Sequence, residues 1–161
     1  MFLTTSKLPP RLLAGIALAS FGAVAFALIA QHGFGVKPCA WCVLQRGIFL
    51  LTGAVALLGW QLKRGQRKAA LAVLIALSLA GLAAAYFHHQ VAAQLESCAL
   101  TLADRLITAM DLEELWPFIF RVTASCSEAA AHRLLGLSYE IWSGLLFLAI
   151  AVSSLVGLKQ R

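Results

Sequence analysis

Four long runs of apolar residues divide the chain, and short polar segments separate them. The runs cover about residues 12–30, 43–62, 69–87 and 141–158. A helix of roughly 20 apolar residues crosses the hydrocarbon core of a bilayer. The runs are continuous rather than alternating, and lipid offers no partners to an open sheet edge, so helices are favoured over strands. The pattern predicts an all-α membrane protein whose four transmembrane helices form one domain over residues 1–161.

The composition supports the membrane class. Hydrophobic residues make up 61% of the 161 residues and charged residues only 12%, against about 25% charged residues in soluble proteins. The first run could also be a cleaved signal peptide, since Ala25-Phe26-Ala27 resembles a cleavage site. That tripeptide lies inside the run, and the run exceeds the usual signal core of about 7–15 residues. We therefore interpret the first run as a retained helix.

The loop charges predict the orientation of the bundle. Eight of the 13 basic residues fall in the N-terminal tail, in residues 63–68 and at the C-terminus, which share one side if four helices alternate. An excess of Lys and Arg marks the cytoplasmic side. The opposite side then has two loops, about residues 31–42 and 88–140, and the second holds all seven acidic residues. We expect cytoplasmic termini and periplasmic loops, and the net charge of +6 needs no nucleic-acid partner.

All four cysteines lie in these two outer loops. Cys39 and Cys42 form a C-x-x-C pair in the stretch KPCAWCVLQR, directly before the second apolar run. The ring closed by such a pair is too small to stabilise a fold much, and a helix N-terminus lowers the pKa of such thiols. Arg46, one turn beyond Cys42, adds a positive charge on the same face. The pair therefore favours redox chemistry over a structural disulfide or a metal site.

Cys98 and Cys126 lie in the longer outer loop, 28 residues apart. On their own they are typical of a disulfide that staples an extracellular loop. Beside a redox C-x-x-C on the same side, they favour a second dithiol that exchanges electrons with the first. A four-cysteine zinc site is the weakest alternative, because its ligands usually come as two close pairs. Residues 102–120 have roughly helical spacing, which indicates a short amphipathic helix on the membrane surface or one packed on the bundle.

Three further residues are candidates for the site. Arg46 is a charge at the edge of a span, which is a functional hypothesis by default, although it could also snorkel to the head-groups. His88 and His89 end the third run at the same level of the membrane as Arg46. Either histidine could hydrogen-bond a polar ligand group beside Arg46, or be an ordinary interfacial residue.

Together these features resemble the DsbB family, disulfide bond formation protein B. The resemblance rests on the four spans, on KPCAWC followed by Gln-Arg at the start of the second helix, and on the second cysteine pair. It rests also on Trp-Pro before the last cysteine and on SCSE and then LLGL leading into the fourth helix. It covers about residues 11–158.

The resemblance implies an inner-membrane dithiol:quinone oxidoreductase that reoxidises a periplasmic DsbA-type thiol oxidase. Cys98 would form the mixed disulfide with that partner. The Cys98–Cys126 pair would then pass its electrons to Cys39, which forms the C-x-x-C disulfide with Cys42.

The same resemblance implies that Cys42 contacts the quinone, which is ubiquinone by default with menaquinone as an alternative. Arg46 and, by a weaker correspondence, His89 would lie at the quinone site, and no metal is implied. A vitamin K epoxide reductase-like enzyme is disfavoured, because its C-x-x-C follows the loop cysteines. The rivals from other classes are a non-catalytic scaffold stapled by disulfides and a metal-binding membrane protein.

Overall fold

The computed structural model describes residues 8–94, 97, 99 and 101–159. Its elements are α1 (Leu8–Phe34), α2 (Ala40–Gln61), α3 (Arg64–Gln90), a 3-10 turn (Ala92–Gln94), α4 (Leu102–Ala109), α5 (Leu112–Leu115), α6 (Pro117–Phe120), α7 (Cys126–Ala131), the strands β1 (Arg133–Leu134) and β2 (Leu137–Ser138), and α8 (Tyr139–Lys159). Within the described ranges, four helices, α1, α2, α3 and α8, are long and apolar enough to cross a membrane. This confirms the predicted four-helix membrane bundle.

All four long helices contain more residues than the apolar runs that predict them, and α2 and α3 show the reason. α2 begins at Ala40, before the expected position 43, because Cys39 caps the helix and its Sγ accepts a hydrogen bond from Cys42 N. α3 continues through both histidines to Gln90. Hydropathy indicates where contact with lipid ends, whereas a helix ends where its backbone hydrogen bonds are capped or broken.

Small residues let the long helices approach one another closely. α1 packs on α2, α2 on α3, and α3 most extensively on α8. A Cβ atom built on Gly59 would lie 2.8 Å from Ala70 Cβ, and one built on Gly81 would lie 2.5 Å from the Phe147 ring. Glycine at these two positions therefore permits the observed helix contacts. The outward faces carry large apolar side chains such as Leu18, 79% exposed, which suits helices surrounded by lipid.

The segment expected to be one amphipathic helix over residues 102–120 is instead three short helices. α4 ends before Asp111, which adopts a left-handed conformation (φ 49°) that a continuous right-handed helix does not accept. Pro117 then starts α6 at a position where its missing N–H needs no partner. α4 packs against α2 and buries Ala103 and Ile107. This part of the loop therefore lies on the bundle.

The β-hairpin before α8 is a small departure from the all-α expectation. Its strands pair antiparallel, and Leu135 and Gly136 form the two-residue turn with φ angles of 53° and 85°. Two consecutive positive φ angles match the twist of a tight hairpin. Asn or Asp is the usual first residue of such a turn, so Leu135 carries no recognisable turn signal in the sequence.

Candidate functional site

The C-x-x-C pair opens α2 at the end of the bundle that also carries Cys126, here called the cysteine end. Cys39 is the N-cap residue, with extended backbone (φ −92°, ψ 173°) and a fully buried side chain. Its Sγ lies 3.1 Å from Cys42 Sγ and accepts a hydrogen bond from Cys42 N at 3.4 Å. In the structure both cysteines are free thiols.

The two thiols of the pair are not equivalent. The hydrogen bond with Cys42, followed by burial, raises the pKa of the Cys39 thiol above its ordinary value. Cys42 lies in the first turn of α2, where unpaired backbone N–H groups and the helix dipole stabilise a negative charge. Cys39 is therefore best placed to remain a protonated thiol, and Cys42 to carry the thiolate.

Arg46 joins three parts of the chain beside Cys42. It lies one turn further along α2 and is buried. Its Nη1 donates one hydrogen bond to Gln31 Oε1 of α1 at 2.5 Å and another to the Ile119 carbonyl of α6 at 2.9 Å. A buried charge needs such partners because its desolvation is costly. The guanidinium is thus fixed next to the dithiol, where it can stabilise negative charge.

The two histidines at the end of α3 face different neighbours. His88 is buried, and its Nε2 lies 3.4 Å from Cys39 Sγ. The side chain of His89 is 47% exposed, and its Nδ1 donates to Glu140 Oε1 in the first turn of α8 at 3.1 Å. The structure therefore brings His88 to the dithiol and His89 to Glu140. A ligand-binding role for His89 stays a prediction.

A cavity of about 520 Å³ lies beside Cys42. Its walls come from α1, from the starts of α2 and α8, and from His88 of α3, and most of the lining side chains are apolar. Its polar lining residues include Lys37, Cys42, Gln45, Arg46, His88, Tyr139, Glu140 and Ser143. An apolar pocket of this size with a few convergent polar groups is typical of a site for a small molecule.

Of the second cysteine pair, the structure describes Cys126, whereas Cys98 lies outside the described residues. Cys126 is fully buried and disulfide-bonded. It belongs to the same cluster of buried residues as Cys39, at the top of α2. The structure therefore places Cys126 close to the C-x-x-C pair, and electron exchange between the two cysteine pairs stays a prediction.

Specific polar contacts hold the Cys126 segment against the C-x-x-C loop. Thr123 N and Ala124 N both donate to the Pro38 carbonyl, at 3.0 and 3.2 Å. Lys37 Nζ forms an ion pair with Glu128 Oε1 at 2.9 Å. Since Pro38 directly precedes Cys39, these contacts fix the spacing between the two cysteine-bearing segments.

The thiols and His88 also have the donor atoms of a metal site. The ligand atoms of Cys39, Cys42 and His88 lie within 4.8 Å of one another. A structural zinc site is normally closed by four protein ligands. In the described part of the chain the group has these three ligands, the number found in catalytic zinc sites, and the zinc alternative is therefore tested together with the function proposed below.

Sequence reasoning missed two residues of this region. Gln31 is an ordinary polar residue at the end of α1, and nothing in its sequence context indicates that it binds Arg46. Glu140 does carry a signal, because an acidic residue in the first turn of an apolar span is a functional hypothesis by default.

A four-helix membrane bundle with a dithiol, a buried arginine and an apolar cavity at one end has the features of a membrane thiol oxidoreductase. The sequence model of the family described as disulfide bond formation protein DsbB matches residues 9–157. The chain is 34% identical to disulfide bond formation protein B of Polaromonas sp., over 97% of this chain and 95% of that protein. It is 33% identical to the protein of the same name from Chromobacterium violaceum, over 91% and 92% of the two chains. The chain belongs to the DsbB family, and is therefore a multi-pass membrane oxidoreductase of disulfide bond formation.

Proposed function

We propose that this protein is an inner-membrane protein dithiol:quinone oxidoreductase. It reoxidises a periplasmic DsbA-type thiol oxidase and passes two electrons to a membrane quinone. The observation that carries the proposal is the position of Cys42 in the wall of a largely apolar cavity of about 520 Å³, beside the buried Arg46. The termini and the basic loop at residues 63–68 lie in the cytoplasm, and the cysteine end faces the periplasm.

The first two steps are thiol–disulfide exchanges at the periplasmic face. A thiolate of the reduced partner attacks the Cys98–Cys126 disulfide at Cys98, forms a mixed disulfide and releases Cys126. The partner's second thiol then displaces Cys98, so the partner leaves oxidised and both loop cysteines are reduced. This dithiol next reduces the C-x-x-C disulfide through a mixed disulfide with Cys39. The contacts between the Cys126 segment and the Pro38 carbonyl support this exchange, because they keep the two segments adjacent.

The last step transfers the electrons to the quinone. Cys39 and Cys42 form a disulfide while the quinone takes up two electrons and two protons and becomes a quinol. Arg46 stabilises the Cys42 thiolate and the negative charge that develops on the reduced ring. The apolar walls suit a hydrophobic ring with its isoprenoid tail, and we expect ubiquinone as acceptor, with menaquinone as the alternative.

The redox scale explains why such a dithiol belongs at a membrane. A DsbA-type oxidase has a reduction potential of about −120 mV and is already a strong oxidant. In a two-electron step, each 30 mV of uphill transfer costs about 1.4 kcal/mol. A membrane quinone is the stronger oxidant that this transfer needs, and it reaches only a thiol that lies at the edge of the lipid.

The test is quinone reduction by the purified protein in detergent. A reduced DsbA-type oxidase serves as donor and a short-chain ubiquinone as acceptor, and the loss of quinone absorbance is followed. We expect turnover by the native protein and none by Cys42→Ser or Cys98→Ser. In a single-turnover experiment with protein reduced beforehand by dithiothreitol, Cys98→Ser should still reduce one equivalent of quinone, whereas Cys42→Ser should not. This difference places Cys98 before Cys42 in the electron path.

Two results would contradict the proposal. A native protein that reduces no quinone and keeps both disulfides in the presence of the reduced partner would be a stapled scaffold. A native protein that instead holds stoichiometric zinc and oxidises no thiol would be a metal-binding membrane protein.

A further inference from the structure

Glu140 is an acidic side chain buried at the edge of a membrane helix. It lies in the first turn of α8, its side chain is 3% exposed, and it lines the cavity beside Cys42. An ionisable group in such a position is costly and calls for a function. The electron path described above uses the cysteines and Arg46 and leaves Glu140 without a role.

Both side-chain hydrogen bonds to the Glu140 carboxylate go to the same oxygen. His89 Nδ1 and Ser138 Oγ donate to Oε1, at 3.1 and 2.5 Å. No side chain in the described part of the chain donates to Oε2, so this oxygen can accept a hydrogen bond from a ligand in the cavity. His89 extends outward, with 47% of its side chain exposed. The pair therefore connects the cavity with the surface at the cysteine end.

The other titratable groups that line the cavity are engaged elsewhere or lack this connection. Beside Glu140 they are Lys37, Cys42, Arg46, His88 and Tyr139. Lys37 is paired with Glu128, Arg46 with Gln31 and Ile119, and His88 lies against Cys39. In the described part of the chain, only the His89–Glu140 pair joins an exposed imidazole to a buried carboxylate of this cavity.

On the basis of the proposed quinone reduction, we propose that Glu140 and His89 form a proton relay. Glu140 passes one proton to the quinone as it is reduced, and His89 supplies that proton to Glu140 and takes up another from water. Carboxylic acids and imidazoles are the side chains that most often perform such transfers, and imidazole exchanges protons readily near neutral pH.

The proton balance of the last step requires such a donor. With Cys39 as the protonated thiol and Cys42 as the thiolate, the arrangement that the N-terminus of α2 and Arg46 favour, the reduced pair carries one proton. Forming the S–S bond transfers two electrons to the quinone and releases one proton, the one from Cys39. A quinol needs two protons, so the second must come from another group. The Glu140 carboxylate receives it from His89 and passes it to the reduced quinone, and His89 takes up a proton from water in its place.

The relay is tested by single-turnover reduction of a short-chain ubiquinone by protein reduced beforehand with dithiothreitol. Glu140→Gln keeps the shape and the hydrogen-bond acceptor but has no proton to transfer, and we expect it to slow quinone reduction by about tenfold or more. His89→Gly should also slow the reaction, and imidazole in the buffer should restore the rate, because the exposed position admits it. Imidazole should not rescue Glu140→Gln.

Glu113→Gln is the matched control. It makes the same chemical change in a carboxylate that accepts a hydrogen bond from Val122 N at 2.7 Å but does not line the cavity. Its rate should equal that of the native protein. A native rate in Glu140→Gln would overturn the relay and leave the proposed function intact. A slow His89→Gly variant that imidazole does not rescue would overturn it too, since that is the result of a purely structural role. If the native protein itself reduces no quinone, the proposed function fails and the relay with it.

Discussion

Replacing Arg46 with methionine should loosen the arm, residues 117–126, that leads from α6 to Cys126. Methionine keeps an apolar stem of similar length but removes the guanidinium. The two hydrogen bonds from Nη1, to Gln31 of α1 and to the Ile119 carbonyl of α6, are then lost. In the described part of the chain the arm keeps its other polar contacts, between the Phe118 carbonyl and His32, between Val122 N and Glu113, and from Thr123 N and Ala124 N to the Pro38 carbonyl. The variant should therefore loosen α6 locally without releasing the whole arm.

The size of this effect follows from the two lost bonds. A hydrogen bond in which one partner is charged contributes about 1.5–3 kcal/mol. Both bonds come from one nitrogen of one side chain, so their contributions do not add fully, and we take about 2–4 kcal/mol for the pair. Since about 1.4 kcal/mol corresponds to a factor of ten, local opening of α6 should become about 30- to 700-fold more frequent.

Hydrogen exchange measured by mass spectrometry reports this opening directly. We expect faster exchange in a peptide covering residues 112–122 of the detergent-solubilised Arg46→Met variant, where Phe120 N is bonded to the Trp116 carbonyl in the native protein. Arg67→Met is the control, because Arg67 Nη2 donates to the Trp60 carbonyl at 3.2 Å, close to the other end of α2. It should leave this peptide unchanged.

Two outcomes would refute the reasoning about Arg46. Unchanged exchange in Arg46→Met would mean that packing and the remaining hydrogen bonds, and not the guanidinium, hold the arm. Equal acceleration in both variants would mean that removing any arginine loosens the whole bundle.

Two further predictions concern the fold and the link between the cysteine segments. Gly81→Ala should destabilise the protein by about 1–3 kcal/mol, because its Cβ would lie 2.5 Å from the Phe147 ring. In the control variant Gly22→Ala the new Cβ meets nothing within 4 Å, so its unfolding temperature should equal that of the native protein. Equal unfolding temperatures of the two variants would contradict this prediction. Lys37 lowers the pKa of the Glu128 carboxyl, first through its hydrogen bond and then through its charge. The stabilisation from this ion pair is therefore fully present above the ordinary carboxyl pKa and is lost as the pH falls through the lowered pKa. Lowering the pH through that range should therefore increase the proteolysis of residues 122–132 in the native protein, and it should increase it less in Lys37→Gln, which has no ion pair to lose. An equal increase in both proteins would show that the ion pair does not hold this segment.

The spans, the cysteine pairs and Arg46 can be predicted from the sequence because their signals are local. A run of apolar residues and a C-x-x-C before it need no knowledge of the rest of the chain. The choice between His88 and His89 cannot be predicted in this way. Successive residues of a helix point about 100° apart, so the rotation of α3 against α2 decides which histidine meets Cys39, and that rotation depends on packing between the helices.

Glu140 illustrates the same limit at the start of α8. Its partner His89 lies 51 positions earlier in the chain, and the two meet only because α3 and α8 form the most extensive helix pair of the bundle. The break at Asp111 is a different case, since a left-handed residue in the middle of a helical pattern is a local event without a glycine or proline to announce it.

The position of the dithiol satisfies two opposing requirements, a polar surrounding for the thiolate and an apolar one for the acceptor. A thiolate is stabilised by charge and by backbone N–H groups, whereas a lipid-soluble acceptor requires apolar walls. At the first turn of α2 both are present, because the helix N-terminus and Arg46 supply positive charge while α1 and α8 supply the walls. Deeper in the bundle the desolvation of that charge would be uncompensated, and further out the acceptor would leave the lipid. The end of a span is thus where the C-x-x-C pair can exchange with the loop cysteines on the water side and, in the proposed reaction, with a quinone in the membrane.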